Sequence, residues 1–409
     1  GHIGSLLKDE PVNIIGAGVT GLVIGYYLKK KNIPFTIHES SPRVGGKIQT
    51  VETKNGIAEY AANAIFADTL VIQLIEELRL KFYRSEGGLH KFVWKNGLPH
   101  SPPFKLIDLL KKVKNLRIKI NKEKLETMSV HEFFEPLMGE QFCTEVIAPA
   151  FSGVYACDIK KLHFQSIFNI NKDTKNYFGF LTQQLANRSG SKPISISFEG
   201  GMQTFINALE NELKPQIVLN STIKELDFKN TIIATDANAA ASIFKATYPI
   251  LSEQLAKISY SKLSTVTLIT RKVIPYLEAS FGMVFHPEIE KINSLGILSN
   301  SEIFPSRVEK DTDHSYTFIM KGTDDIEQKL KEDLKVLGFE DLLEGKLDLV
   351  IHPWERAIPM YDHQRTDSIR SIEKNFKQIL PGLVITGNYV DGISLRQIIS
   401  NAKTLVDTI

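Results

Sequence analysis

Residues Val12 to Glu39 constrain the fold more than any other stretch of the chain. Val12-Asn13-Ile14-Ile15 is a short β-rich run, and Gly16-Ala17-Gly18-Val19-Thr20-Gly21 follows it as a GxGxxG. A helix is predicted from Leu22 to Lys31, with Leu22, Val23, Tyr26 and Tyr27 on its apolar side. Ile33 to His38 reads as a second strand, ended by Glu39, 21 residues beyond Gly18. Strand, glycine turn, helix and second strand with an acid at its tip form a dinucleotide-binding unit. Gly16 permits the tight turn, Gly18 lets the backbone approach a pyrophosphate, and Gly21 lets the helix pack close to the strand. The first turn of the helix then attracts phosphate charge. Glu39 can accept hydrogen bonds from ribose hydroxyls and would repel a 2′-phosphate, which disfavours NADP.

The rest of the chain bounds the class. Its 409 residues suggest two or three domains. With 43% hydrophobic and 23% charged residues, it is neither a disordered chain nor a disulfide scaffold. Only Cys143 and Cys157 occur, outside any CxxC, so a reducing, cytoplasmic setting is the simpler reading. A net charge of +2 gives no reason to expect nucleic acid. The ten histidines show no metal spacing, so no metal is expected. The start Gly1-His2-Ile3-Gly4-Ser5 lacks methionine, reads as an appended scar and is left out of the fold argument. The uncharged stretch from Val12 to Leu28 has 17 residues and divides into strand, turn and helix. No signal peptide and no membrane span are predicted.

Further elements follow from periodicity. Helices are expected at 67–80, 104–124, 205–213, 237–245, 324–337 and from about 395 to the end. Strands are expected at 91–95 (with a turn at Asn96-Gly97), 217–226 (a strand pair, or a strand with a turn), 232–235, 260–270, 347–352 and 383–386. Between Lys105 and Lys124 eight cations face two acids, a local balance of +6. A basic amphipathic helix there suits either an anionic membrane surface or plain solvent. The N-terminal βαβ unit is too small to hold a dinucleotide alone, and the apolar strand and Gly387-Asn388 look like its partner. The predicted fold is therefore α/β: a Rossmann-like domain assembled from 11–84, 196–245 and 364–409. A helical, membrane-associating and substrate region would span 85–195, and an α+β substrate-binding sheet domain 246–363.

Arg43-Val44-Gly45-Gly46-Lys47 follows Glu39 closely and resembles the R-x-G-G-[KR] motif of the flavin amine oxidase and protoporphyrinogen oxidase superfamily. The resemblance selects FAD over a diffusible nicotinamide cofactor. Five further stretches are similar to the FAD-dependent protoporphyrinogen and coproporphyrinogen oxidases of haem synthesis. They are Pro149 to Leu162 (PAFSGVYACDIKKL), Phe198 to Thr204 (FEGGMQT), Gly296 to Arg307 (GILSNSEIFPSR), Trp354 to Tyr361 (WERAIPMY) and Gly387 to Leu395 (GNYVDGISL). They stand in the family's order across nearly the whole chain. By resemblance, Gly16 to Gly21 (with Ala17, Val19 and Thr20), Glu39 and Ser40 would hold the ADP half of FAD. Arg43, Gly45, Gly46 and Lys47 would lie near the phosphates or ribityl chain, and the backbone of Ile223 would hold adenine. Asn63, Trp354, Gly387, Asn388 and the Gly392-Ile393-Ser394 loop would lie near the flavin, whose pyrimidine end could take the loop's N–H groups. Lys91 would meet a substrate propionate, and Gly153 and Val154 would wall the pocket. A strand lysine facing water and a tight turn would look the same.

Three departures stand out. Where the family has R-G-P-x-S-F, this chain has Tyr60-Ala61-Ala62-Asn63-Ala64-Ile65. Cys157 replaces a usual glycine, and Asn401 stands where a small residue is common. The resemblance implies oxidation of a porphyrinogen to a porphyrin, with hydride leaving a methylene bridge and dioxygen as the final acceptor. No catalytic side chain is then required, because the cofactor carries the hard step. An FAD amine oxidase, or a flavoprotein that binds a porphyrin or a protein partner without turnover, are the alternatives. A cytoplasmic protein, peripheral on the inner face of a membrane through 105–124, is expected; its oligomeric state is left open.

Overall fold

The structure is a computed structural model and describes residues 1–101, 116–187, 194–227, 229–376 and 381–409. Two large sheets organise it. The first has six strands in the order His2–Ser5, Leu383–Thr386, Thr231–Ile233, Val12–Ile15, Phe35–His38 and Ile217–Val218. All pairs are parallel except the one made by His2–Ser5. Successive residues of its central strands face opposite ways, and both faces are covered. Ile14, Ile232 and Val384 join a core under the helices Val19–Lys30, Gln203–Leu213 and Leu395–Asp407. Ile15, Ile233 and Ile385 join a second core under Ala237–Phe244, Pro249–Ala256 and His363–Phe376. This double coverage is why these strands read as unbroken apolar runs.

The second sheet has seven strands, in the order Lys346–Trp354, Leu263–Thr270, His314–Lys321, Ser294–Ser299, Ser280–Val284, His90–Lys95 and Leu98–His100. One face buries Trp94, Val266, Met283, Ile297 and Phe318 with the helix Ile326–Leu337. The other carries Thr265, Thr267, Thr317, His352 and Trp354 and turns toward the first sheet. A helical body holds Val130–Met138, Ala148–Tyr155 and Tyr177–Asn187 around an aromatic core. Phe133 stacks on Phe164 there, with ring centroids 3.8 Å apart. No helix among the described residues is long and apolar enough to cross a membrane.

The mixed α/β architecture agrees with the sequence, and several elements are corrected. His2–Ser5, set aside as a scar, is an edge strand paired with Leu383–Thr386. The helix expected from Ala67 begins at Thr69, because Ile65–Ala67 pairs with the strand Ile194–Ser197 and Asp68 caps the helix by accepting from Val71 N. Of the strand expected over 217–226 only Ile217–Val218 pairs, since Ile37 and His38 at the end of its partner offer no further register. Residues 90–100, grouped with the helical region, form the last two strands of the seven-stranded sheet. The basic helix expected over 104–124 lies mostly outside the described residues. Its described part is extended at 118–120, where Ile120 N donates to Lys175 O at 3.0 Å, and only Lys122–Leu125 is helical.

One buried pair joins these parts. Arg307 Nη1 lies 3.2 Å from Glu59 Oε2, with both side chains 3% exposed. Glu59 also accepts from Met202 N at 2.9 Å and from Thr50 Oγ1. Arg307 Nη2 donates to Asn63 O at 2.6 Å and Ser197 Oγ at 2.8 Å. Arg307→Met should cost about 3–5 kcal/mol in urea unfolding, because it strands a buried carboxylate.

A second polar contact docks the helical body on the helix His363–Phe376, whose Thr366 Oγ1 lies 3.2 Å from His163 Nδ1. Buried His163 faces the Glu126 carbonyl with Nε2 at 2.5 Å and Ser166 Oγ with Nδ1 at 2.7 Å. Burial holds its pKa below the ordinary 6.5, so the folded protein favours the neutral ring. The unfolded chain therefore takes the proton first as pH falls, and stability complete above about 6.5 is lost below it. Melting curves between about pH 7 and 5 should show this loss, and His163→Gln should reduce it, leaving the part due to His2, His38 and His352, which burial shifts the same way.

Candidate flavin site at the junction of the two sheets

The glycine loop sits at the C-terminal end of Val12–Ile15, in the centre of the parallel sheet. Gly16 has φ +108°, a conformation that favours glycine. A Cβ on Gly21 would fall 1.9 Å from Gly16 O, so Gly21 is fixed by packing alone. Gly18 is different. Its φ of −73° suits any residue, and a Cβ there would meet only Gly46 Cα, at 4.0 Å. Nothing within the chain requires glycine at position 18, and the open space beside it is where a ligand backbone can lie. No side chain caps the helix Val19–Lys30 at Gly18, which leaves its first turn to an anion.

Glu39 stands at the tip of Phe35–His38. Its Oε1 accepts from Ala17 N and its Oε2 from Ser41 N, each at 2.9 Å. A carboxylate has about four acceptor positions, so room is left for hydroxyl donors. Ser40 is exposed beside it. Residues 218–221 run alongside, with Glu39 N donating to Val218 O and Ser221 N to Glu39 O. Ile223, half-buried two residues farther on, packs against the core under Ala237–Phe244.

The Arg43–Lys47 turn closes over Gly18. Gly45 N donates to Ala17 O at 2.8 Å. Arg43 turns back on its own loop, donating to Gly46 O and Ile48 O, both at 2.7 Å. Lys47 leaves the loop instead. Its Nζ donates to Ala357 O at 2.5 Å and stands 5.5 Å from the Tyr260 ring and 5.9 Å from the Trp354 ring. Burial pushes its pKa down to about 8, against the nearby Asp236 carboxylate.

Trp354 belongs to the inward face of the seven-stranded sheet. Its Nε1 donates to Tyr60 O at 2.7 Å, and Thr265 Oγ1 donates to the same oxygen at 2.8 Å. The Tyr60 ring stacks on His352 at 3.9 Å. The third wall is the loop 387–394. Asn388 O accepts from the Tyr361 hydroxyl. Gly392 has φ +81°. Ser394 caps Leu395–Asp407 in a reciprocal pair with Gln397, which takes the Ser394 N–H at 3.2 Å. At its Ser394 end, the expected row of N–H groups over Gly392-Ile393-Ser394 is committed to Gln397.

The substrate candidates lie farther out. Lys91 is exposed, pairs in register with Gly282, and stands 5.1 Å from the Phe281 ring. It has no ion-pair partner among the described residues. Gly153 abuts the same strand, where a Cβ would sit 3.1 Å from Val284 Cγ1, and Val154 is 58% exposed. Five strand steps separate Lys91 from Trp354, roughly 24 Å. Among the described residues no His, Cys, Asp or Glu cluster could hold a metal. Cys143 and Cys157 are buried and free, and burial pushes their thiols up to about 11 and about 12.

The model of the family described as flavin containing amine oxidoreductase matches residues 19–393. The chain belongs to that family. As a flavin-containing amine oxidoreductase with a dinucleotide-binding βαβ unit, it is an FAD-dependent oxidoreductase. Protoporphyrinogen oxidase 2, chloroplastic/mitochondrial, of Arabidopsis thaliana is 25% identical, with 100% of this chain and 95% of the relative aligned. Coproporphyrinogen III oxidase of Bacillus subtilis is 24% identical, over 97% of each chain. A crystal structure from Exiguobacterium sp. 255-15, assigned to protoporphyrinogen oxidase, superposes with a TM-score of 0.78 at 18% identity, over 98% of this chain and 99% of that one.

Sequence reasoning did not single out Arg365, His352, Tyr260 or Asp236. His352 had a signal, since two-residue spacing puts it on the same strand face as Trp354. The two glycines at the start of the first helix separate ligand space from packing. Gly18→Ala should leave stability within about 1 kcal/mol while weakening FAD binding at least tenfold. Gly21→Ala should prevent folding. Thermal melting and flavin fluorescence titration distinguish the two outcomes.

Proposed function

We propose that this oxidoreductase converts a porphyrinogen, protoporphyrinogen IX or coproporphyrinogen III, to the corresponding porphyrin, with dioxygen as the final acceptor. The observation that carries the reading is the open side of Gly18, beside the Arg43–Lys47 turn whose Lys47 reaches to 5.9 Å from the Trp354 ring, together with full-length similarity to relatives named for that reaction. Bound FAD would supply two-electron hydride acceptance, and because porphyrinogen to porphyrin is a six-electron oxidation, three rounds would be needed, each reducing one dioxygen to peroxide.

The chain's part is to bind, orient and exclude water. Gly16 to Gly21 and the first turn of Val19–Lys30 receive the diphosphate, and Glu39 the ribose. Gly45 and Gly46 let the backbone close over it, with Arg43 holding their turn. The strand edge at Ile223 borders adenine. Asn63, Trp354 and Gly387 to Ser394 surround the ring. The inward sheet face, where Trp354 and Val284 stand beside Thr265, Thr267, Thr317 and His352, offers a broad wall of mixed apolar and polar groups to a flat macrocycle. Lys91, about five strands from Trp354, can reach only the far rim of such a substrate, as a point charge for a propionate.

Anaerobically prepared protoporphyrinogen and coproporphyrinogen, mixed with the flavin-loaded protein and then exposed to air, should give porphyrin fluorescence faster than autoxidation. No rate above autoxidation with either would defeat the proposal, and peroxide release with amines alone would replace it by an amine oxidase. Lys91→Ala should raise KM about fivefold, near 1 kcal/mol, with kcat unchanged.

A further inference from the structure

The loop 388–391 presents four consecutive carbonyls, and each is taken by a side chain. Asn388 O accepts from the Tyr361 hydroxyl. Tyr389 O accepts from Arg365 Nε at 2.8 Å, and Val390 O from Arg365 Nη2. Asp391 O accepts from Asn401 Nδ2 at 2.9 Å. Main-chain carbonyls in a surface-reaching loop usually turn to water or to other backbone groups. Here one guanidinium, 6% exposed, holds two of them.

The grip is itself braced. The Arg365 guanidinium lies 3.9 Å from the centre of the Tyr361 ring, and Arg365 N donates to Asp362 Oδ1 at 2.9 Å. Tyr361 is 2% exposed and belongs to the aromatic core of the helical body. The residues that shape the loop therefore come from one short segment, 361–365, between the second sheet and a helix of the first. A buried arginine fixed by a ring and two carbonyls has one geometry, and it passes that geometry to the loop. It also leaves a positive charge, partly desolvated, directly behind the loop.

We propose that Arg365, braced by Tyr361, is the positioning residue for the 388–392 loop and through it sets FAD affinity and the reduction potential of the flavin. The inference rests on the placement of FAD given above. Arg365 does not touch the cofactor in this reading. It fixes the loop that does, and its charge favours the added negative charge of the reduced ring.

Three proteins test it: the parent, Arg365→Met and Tyr361→Phe. Each is compared by circular dichroism, thermal melting, FAD titration and the midpoint potential of the bound flavin. Arg365→Met should weaken FAD binding at least tenfold and move the potential to more negative values. Tyr361→Phe keeps the ring under the guanidinium and loses only the bond to Asn388 O. It should weaken FAD binding about threefold with an unchanged melting curve. A purely structural arginine would lower the melting temperature and leave the potential of the retained flavin where it was, and that result overturns the proposal. Should Arg365→Met not fold, Tyr361→Phe decides alone: parental affinity would overturn the inference. A parent protein that binds no FAD would overturn the placement of the cofactor and this inference together.

Discussion

The Glu59–Arg307 pair places opposite charges where neither side chain keeps more than 3% of its surface in water. Burial works against charge on both, raising the pKa of Glu59 and lowering that of Arg307. Such a pair survives only when every remaining lone pair and proton is used. Here the partners come from Thr50, Asn63, Ser197 and Met202. The hairpin Thr50–Thr53 with Gly56–Glu59, the strand Ile194–Ser197 and the first turn of Gln203–Leu213 are thereby fixed to the Pro305–Arg307 turn. Moving any one of them would leave a buried charge short of a partner.

That anchorage determines where the two large sheets face each other. Glu59 and Asn63 are the ends of the loop that runs between them, and both are tied to Arg307. The middle of the loop is held from the second sheet, where Trp354 Nε1 and Thr265 Oγ1 share the Tyr60 carbonyl. The gap above Gly18 and the inward face at Trp354 thus keep a fixed relation. A cofactor lying along the first and a substrate along the second can meet without either sheet moving. Function is then a matter of what the rigid walls present, which suits a reaction whose electron chemistry belongs to the cofactor.

What the sequence made legible follows from the range of the interactions. The βαβ unit was readable because its rules are local: an apolar strand, glycines with separate duties, a helix and an acid within 28 residues from Val12 to Glu39. The strands Thr231–Ile233 and Leu383–Thr386 were readable because burial on both faces makes an unmistakable run. The N-terminal edge strand was missed because its only structural reason is a partner strand some 380 residues away. The 217–226 run was over-read because apolar content says nothing about whether a neighbouring strand continues. Arg307 could be quoted within a motif, yet its partner Glu59 lies 248 residues distant. Arg365 carried no local signal, since an arginine near the start of a polar helix ordinarily faces solvent.

The same distinction bears on the departures from the family pattern. The Tyr60–Ile65 loop differs in its side chains, but its shape is held through main-chain oxygens of Tyr60 and Asn63. Those contacts do not depend on which side chains the loop carries, so its path beside the site survives the changed letters. Asn401 is a second case. Its amide takes the Asp391 carbonyl and so adds a grip on the 388–392 loop that a small residue would lack. Cys157 is a third. It is 3% exposed in the aromatic core, with its thiol pushed up to about 12 by burial, so it packs as a small apolar group. Each departure is compatible with an intact site. The Tyr60 ring, stacked on His352 at the inward sheet face, is the one that changes the surface a substrate would meet. An altered substrate fit, rather than a lost cofactor, is what the physical chemistry of this loop favours.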